Sequence, residues 1–174
     1  MRRKNMDRAT CPIARSLGDV GDWWSLLIVR DGLRGKRRFG EFEKSLGLAK
    51  NILAARLKKL VACGIFRLEP ASDGSSYQEY VLTEKGRALT LVTTALRLWG
   101  TRWLFGNEPD APLVLDRVTG EEIVGFGFRT QSGRLVAPSE IQYVTEPIRR
   151  SSPISAASRA GSARAPRRDK PKAR

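Results

Sequence analysis

A mainly helical α+β domain, with a β-hairpin set among its helices and a small β-ribbon and disordered tail after them, is the fold class this sequence predicts. Three observations carry that prediction. Apolar residues recur at helical spacing in successive short segments from Cys11 to Phe105. The stretches "IFRLEP" and "YQEYVL" alternate like strands on either side of "ASDGSS", a loop rich in Ser, Asp and Gly. From Pro109 to Val144 the chain changes to "LVLDRVTGEEIVGFGFRTQSGRLVAP", short alternating runs punctuated by Thr-Gly and Ser-Gly turns.

The elements follow in order. In "CPIARSLGDVGDWWSLLIVRDGL" an apolar stripe of Ile13, Leu17 and Val20 marks a first helix, and Asp22 caps a second that runs from Trp23 to about Leu33. Trp23, Trp24, Leu26, Leu27 and Ile28 make that second helix apolar nearly all round, which predicts the central buried position. After the turn "RGKRR", Phe39, Phe42 and Leu46 share one side of a short helix that Gly47 stops. The next helix, Ala49 to Ala62, buries Leu53, Leu57, Leu60 and Val61, and Gly64 ends it ahead of the hairpin. Thr83 then caps a long helix in which Leu89, Val92, Leu96, Trp99 and Trp103 are spaced like the seam of a coiled coil. A seam of that kind needs a partner, and the two tryptophans near its end point to a second copy of the chain.

Composition narrows the function. The chain has 174 residues and a formal net charge of +14, which suits a polyanionic partner. The charge is uneven: nine Lys or Arg and one acid between Arg149 and Arg174 contribute +8, which leaves +6 for residues 1–148. The end, "SSPISAASRAGSARAPRRDKPKAR", has almost no large apolar side chain and is expected to be disordered, adding attraction to DNA without choosing a site. No apolar run is long enough to span a bilayer and the basic N-terminus is unlike a secretory signal, so a cytoplasmic protein with no membrane contact is expected. With no histidine and two cysteines, Cys11 and Cys63, neither a metal site nor a cofactor is expected, and both thiols should be reduced. There is no Gly-rich phosphate loop with Lys-Ser/Thr, no Gly-x-Ser-x-Gly elbow and no paired carboxylates, so no enzyme activity is predicted.

Two short helices joined by a tight turn, the second cationic on its outer side, have the layout of a helix-turn-helix, and the hairpin that follows makes it winged. On a helical wheel Asn51, Ala55, Lys58 and Lys59 point away from the apolar side of the second helix, with Arg56 on the flank. Such a face is either a solvated surface or the one laid in a major groove, where Asn51 can pair bidentately with adenine. Ile52 either meets a thymine methyl or packs under the preceding helix. Lys50, Arg56, Lys58 and Lys59 are candidate phosphate contacts, with guanine open to Arg56. Arg38 either holds the phosphate backbone or pairs with Glu41 or Glu43. The wing tip has no cation and carries Asp73, so only backbone or hydroxyl contacts, as from Ser75, are expected there.

At "CPIARSLGDVGDWWSLLIVRDGL", "RRFGEFEKSLGLAKNILAARLKKLVACGI" and "YVLTEKG" the chain resembles the HxlR-type family of bacterial winged-helix transcriptional regulators, over roughly Cys11 to Phe105. The resemblance implies a homodimer whose paired helices enter successive major grooves of a partly palindromic operator. It also points to Ala49, where relatives often have a capping Ser or Thr, and the loss of that cap should cost on the order of 1 kcal/mol. In several redox-sensing relatives a cysteine at the position of Cys11 is oxidised, which makes Cys11 either a sensor, favoured by Arg8 and Arg15, or an inert thiol. Some relatives carry a zinc knuckle where "RTQSG" stands here, so the resemblance implies no metal-based sensing. The expected organisation is an N-terminal arm (1–10), a DNA-binding and dimerisation domain (11–106), a ribbon (107–146) and a basic tail (147–174). The expected partners are double-stranded DNA and a second copy, with a small-molecule or oxidant effector. The competing class is a basic RNA-binding or ribosome-associated module, against which stands the placement of most aromatics in apolar helical stripes.

Overall fold

The computed structural model describes residues 6, 9–105 and 113–144, which divide into two compact units, Met1–Phe126 and Gly127–Arg174. The predicted basic tail, Arg8 and most of the N-terminal arm lie outside the described residues. In the first unit α1 (Pro12–Val20), α2 (Trp23–Leu33), α3 (Phe39–Leu46) and α4 (Lys50–Ala62) precede a hairpin of β1 (Phe66–Pro70) and β2 (Gln78–Leu82). Two further helices follow, α5 (Glu84–Ala88) and α6 (Thr90–Gly100). No helix of the described residues is long and apolar enough to cross a membrane.

α2 is the hub, packed on α1, α3, α4, α6 and β2. Asp22 caps it by accepting a hydrogen bond from the Ser25 amide at 2.9 Å. It is not buried all round, however: Trp23 is 75% exposed, while Ser25, Ile28, Val29 and Asp31 face inward. Against them pack Phe42 of α3 and Leu53, Leu57 and Leu60 of α4, all fully buried. Each leucine so placed contributes about 1.5–3 kcal/mol. The fully buried Asp31 carboxylate pairs with Arg30 at 2.9 Å and lies 3.7 Å from Lys36.

The hairpin pairs antiparallel, Phe66 opposite Leu82 and Pro70 opposite Gln78. Its apolar face meets α3 through Phe42, Phe66 and Tyr80, whose rings sit edge to face with centroids 6.1–6.5 Å apart. The Tyr80 amide also donates to the Arg37 carbonyl at 2.8 Å, so the residues ahead of α3 lie along β2. Gly47 and Gly64 close α3 and α4 at positive φ, 62° and 70°.

The long helix expected after Thr83 is broken. Thr83 caps α5, its Oγ1 accepting from the Gly86 amide, and the chain then tightens at Leu89, whose amide reaches back three residues to the Gly86 carbonyl. The Thr90 hydroxyl donates to the Arg87 carbonyl at 2.7 Å, a local bond that competes with the regular helical ladder at the break. After α6 the last turn, Thr101–Phe105, is π-helical. Within the predicted ribbon, an isolated bridge joins Leu115 to Glu122 in the first unit. The second unit holds a two-residue hairpin, β3 (Phe128–Arg129) with β4 (Leu135–Val136), and a single 3-10 turn at Pro138–Glu140. Its turn glycine, Gly133, has a φ of 88°.

Candidate nucleic-acid interface

α3 and α4 form the helix-turn-helix. Glu41 reaches back to accept from the Arg37 and Arg38 amides at 2.7 and 2.8 Å, which satisfies the start of α3. These two amides hold the Glu41 carboxyl below its usual range. Leu48, buried in the turn, anchors the entry to α4. Because Leu53, Leu57 and Leu60 are drawn into the core, Ala49, Lys50, Asn51, Ile52, Ala55 and Lys58 are left exposed along the opposite side. Ala49 makes no side-chain cap. Lys50 is bound loosely, 4.0 Å from Glu43, with 78% of its side chain exposed. Ile52 is 39% exposed.

Two cations predicted for this face turn away from it. Arg56 lies 3.4 Å from Asp22, and Lys59 donates to the Gly18 carbonyl at 2.7 Å while standing 3.9 Å from the same carboxylate. The reason is tertiary. Both lie on the flank of α4 that meets the junction of α1 and α2, where the half-buried Asp22 offers a counter-charge that a wheel of one helix does not contain. Burial opposes ionisation of Asp22, but the Ser25 hydroxyl and amide, with Arg56 and Lys59, hold its carboxyl below the ordinary value.

Arg38 does not take the ion pair with Glu41 or Glu43 that is one reading of the sequence. Its guanidinium pairs with Asp73 at the hairpin tip and lies 3.6 Å from Glu79, while Glu41 serves the backbone. Glu79 is itself buried, accepts from the Ser72 hydroxyl at 3.1 Å and lies 3.6 Å from Arg37. The wing is therefore clamped to the start of α3 through two carboxylates. The Ser75 amide and hydroxyl both donate to Asp73 Oδ1, at 3.1 and 2.7 Å. Sequence reading missed Glu79, Arg37 and the role of Asp22. Their roles arise between elements far apart in the chain, where no local periodicity marks them.

Cys11 is exposed at the N-cap of α1, and the Arg15 Nε beside it donates to the Ala9 carbonyl. Cys63, half-buried at the end of α4, packs on the core, where burial and then Asp19 push its thiol pKa up. Among the described residues no group of three His, Cys, Asp or Glu side chains is placed to hold a metal ion.

Of the residues assigned to a subunit contact, Leu89 packs against the core of its own protomer. Val92, Leu96, Trp99 and Trp103 are exposed, as are Leu91 and Leu104. Ile13 and Leu17 of α1 are exposed as well.

A tight helical pair with an outward, acid-free second helix and a hairpin clamped beside it defines a winged helix-turn-helix DNA-binding protein. Residues 19–108 match the HxlR-like helix-turn-helix family. The HTH-type transcriptional regulator Mb3122 of Mycobacterium bovis is 39% identical over 100 residues, a stretch that spans 58% of this chain and only 62% of that relative. YvaP of Bacillus subtilis, another HTH-type transcriptional regulator, is 35% identical over 96 residues, 54% of this chain and 89% of its own length. The solved structure of PA1607, described as a candidate transcription factor, is 43% identical and superposes with a TM-score of 0.75, covering 82% of this chain and all of that one. The chain belongs to the HxlR-like helix-turn-helix family.

Proposed function

We propose that the protein is a homodimeric repressor that reads a pseudo-palindromic operator in double-stranded DNA, laying the N-terminal part of α4 in the major groove. The observation that carries this reading is the outer face of α4, where Lys50, Asn51, Ile52, Ala55 and Lys58 are exposed together without an acidic residue. Asn51 is the base reader, Lys50 and Lys58 meet phosphates, and Ile52 meets a thymine methyl. Ala49 and Ala55 let the backbone approach closely. Arg56, Lys59, Arg38 and Ser75 contribute only if they leave their partners within the protein.

The exposed apolar residues of α6 and the turn after it support a second copy as the partner: Val92, Leu96, Trp99 and Trp103 form a patch of the kind that marks subunit contacts. A dimer would place two α4 helices about one helical turn of DNA apart, roughly 34 Å. In the same reading the N-terminal arm, the ribbon and the basic tail flank the DNA-binding domain, the protein works in the cytoplasm, and oxidation of the exposed Cys11 weakens operator binding.

Footprinting on the intergenic DNA upstream of the protein's own gene, with and without diamide, tests this. Two protected half-sites about ten base pairs apart are expected, lost on oxidation in the parent and kept in Cys11→Ser. Protection of no fragment, with tighter binding to single-stranded RNA, would overturn the DNA reading. An equal response of Cys11→Ser and parent to diamide would remove Cys11 as the sensor.

A further inference from the structure

The junction of α1 and α2 holds two cations of α4. The elbow itself is tight: the Gly21 amide donates to the Leu17 carbonyl at 2.9 Å, and a Cβ on Gly21 would stand 2.3 Å from that oxygen. Asp22 follows, with both carboxylate oxygens anchored, Oδ1 by the Ser25 amide at 2.9 Å and Oδ2 by the Ser25 hydroxyl at 2.7 Å. The first turn of α2 therefore fixes the carboxylate in place.

The cations that approach it are held more loosely. Arg56 Nε lies 3.4 Å from Asp22 Oδ1 and, although that nitrogen is buried, it makes no hydrogen bond. Lys59 Nζ stands 3.9 Å from Oδ2 and spends its hydrogen bond on the Gly18 carbonyl of α1. Both meet Asp22 by charge rather than by hydrogen-bond geometry, and their side chains stay 30% and 28% exposed. An attraction of that kind is modest and is exchanged readily for another anion, such as a DNA phosphate. The cations of α4 are thus of two kinds: Lys50 and Lys58 lie on its exposed face, while Arg56 and Lys59 are turned onto the elbow. The difference matters because phosphate contacts attract every duplex alike, whereas base contacts select a sequence.

We infer that Asp22 is a specificity-determining residue of DNA recognition that acts from outside α4. It holds Arg56 and Lys59 on the α1–α2 junction, which lowers the sequence-independent attraction of α4 for duplex DNA and fixes the seat of that helix. This inference rests on the DNA-binding reading above. Asp22 is a positioning residue: it works through two cations and needs no contact with DNA of its own.

The test uses the full chain and a fluorescein-labelled duplex of random sequence, with binding followed by anisotropy across a salt series. Asp22→Asn removes the charge and keeps the cap of α2, since Asn serves at that position about as well as Asp. The slope of log K against log salt should steepen by about 0.9 for each cation released. Discrimination between the footprinted operator and the random duplex should fall. Loss of any acidic charge near DNA favours binding, so the deciding variant combines Asp22→Asn with Arg56→Gln and Lys59→Gln. In it the slope should return to that of the parent. A slope unchanged by Asp22→Asn at a parent-like urea midpoint would overturn the inference, as would a steeper slope that the combined variant retains. Asp22→Ser, which also caps without charge, replaces Asp22→Asn if that variant does not fold. A parent that binds duplex with an unmoved slope in the variants rejects the role of Asp22 alone. A parent that binds no duplex at any salt rejects the DNA-binding reading, and the role of Asp22 with it.

Discussion

Arg38 at the start of α3 and Asp73 at the hairpin tip, 35 residues apart in sequence, are joined by an ion pair of 2.5 Å. Arg38, followed by the Ser75 hydroxyl and amide, holds the Asp73 carboxyl far below the usual carboxylate range. The pair cancels an acidic charge at the wing tip, and in doing so occupies a cation proposed to meet the DNA backbone. Both side chains are substantially exposed, so the pair positions the wing more than it stabilises the fold.

Asp73→Asn is therefore expected to leave the urea midpoint close to that of the parent while tightening operator binding. Arg38 would be released to a phosphate, and the slope of log K against log salt should steepen by about one unit. An unchanged slope measured by fluorescence anisotropy would show that Arg38 stays off the DNA.

Asn51→Ala should weaken binding to the preferred operator by about 1–3 kcal/mol and relax the choice of base at one position in each half-site. Lys50→Ala should instead weaken all sequences alike and lower the salt slope by about one unit. Titration against a panel of single-base operator variants distinguishes these outcomes, and a uniform loss with Asn51→Ala would make Asn51 a backbone contact.

Gly86→Ala should destabilise the domain by about 1–3 kcal/mol. A Cβ at this buried position would stand 2.2 Å from the Ile65 carbonyl oxygen and 2.8 Å from Leu82 Cδ2, so α5 would have to lift from the hairpin. Gly40→Ala is the control: nothing lies within 4 Å, and the change should be neutral or stabilising by up to about 1 kcal/mol. Chemical denaturation of both variants gives the comparison.

Stability should fall on the acid side through Asp22 and Asp31. For Asp31 burial favours the neutral acid, but Ser45, Arg30 and Lys36 outweigh it and lower the folded-state value; Asp22 is lowered too. A carboxyl with a lower pKa folded than unfolded binds fewer protons when folded. Its contribution is complete above the unfolded value, about 3.9, and is lost as pH falls through the folded value. Asp31→Asn should lower the neutral-pH stability by about 1–3 kcal/mol and flatten the decline between about pH 5 and pH 2. Urea midpoints across that range check it, and a parent whose stability did not change there would refute the assignment.

Much of the architecture is legible in one dimension because it rests on local physics. Asp22 and Thr83 cap helices where their sequence neighbours place them, Gly47 and Gly64 end helices at positive φ, and the spacing of Leu53, Leu57 and Leu60 selects the buried side of α4. The exposed Lys50, Asn51, Ile52 and Lys58 follow from that same period, as the remainder of a helix whose other side is core. One local signal overreached: the single long helix expected after Thr83 breaks at Leu89, because a side-chain bond to the backbone is decided by a margin that spacing does not measure.

The amino-acid sequence by itself determined the helical spacings, the caps and turns, the outward face of α4 and the winged helix-turn-helix layout, since each depends on residues a few positions apart. Only the tertiary structure decided the pairing of charges. Arg56 and Lys59 settle on Asp22, and Arg38 on Asp73 and Glu79, because long flexible cations take the nearest counter-charge that folding brings to them. Which carboxylate that is depends on elements separated by tens of residues, and no periodicity within a single helix encodes it.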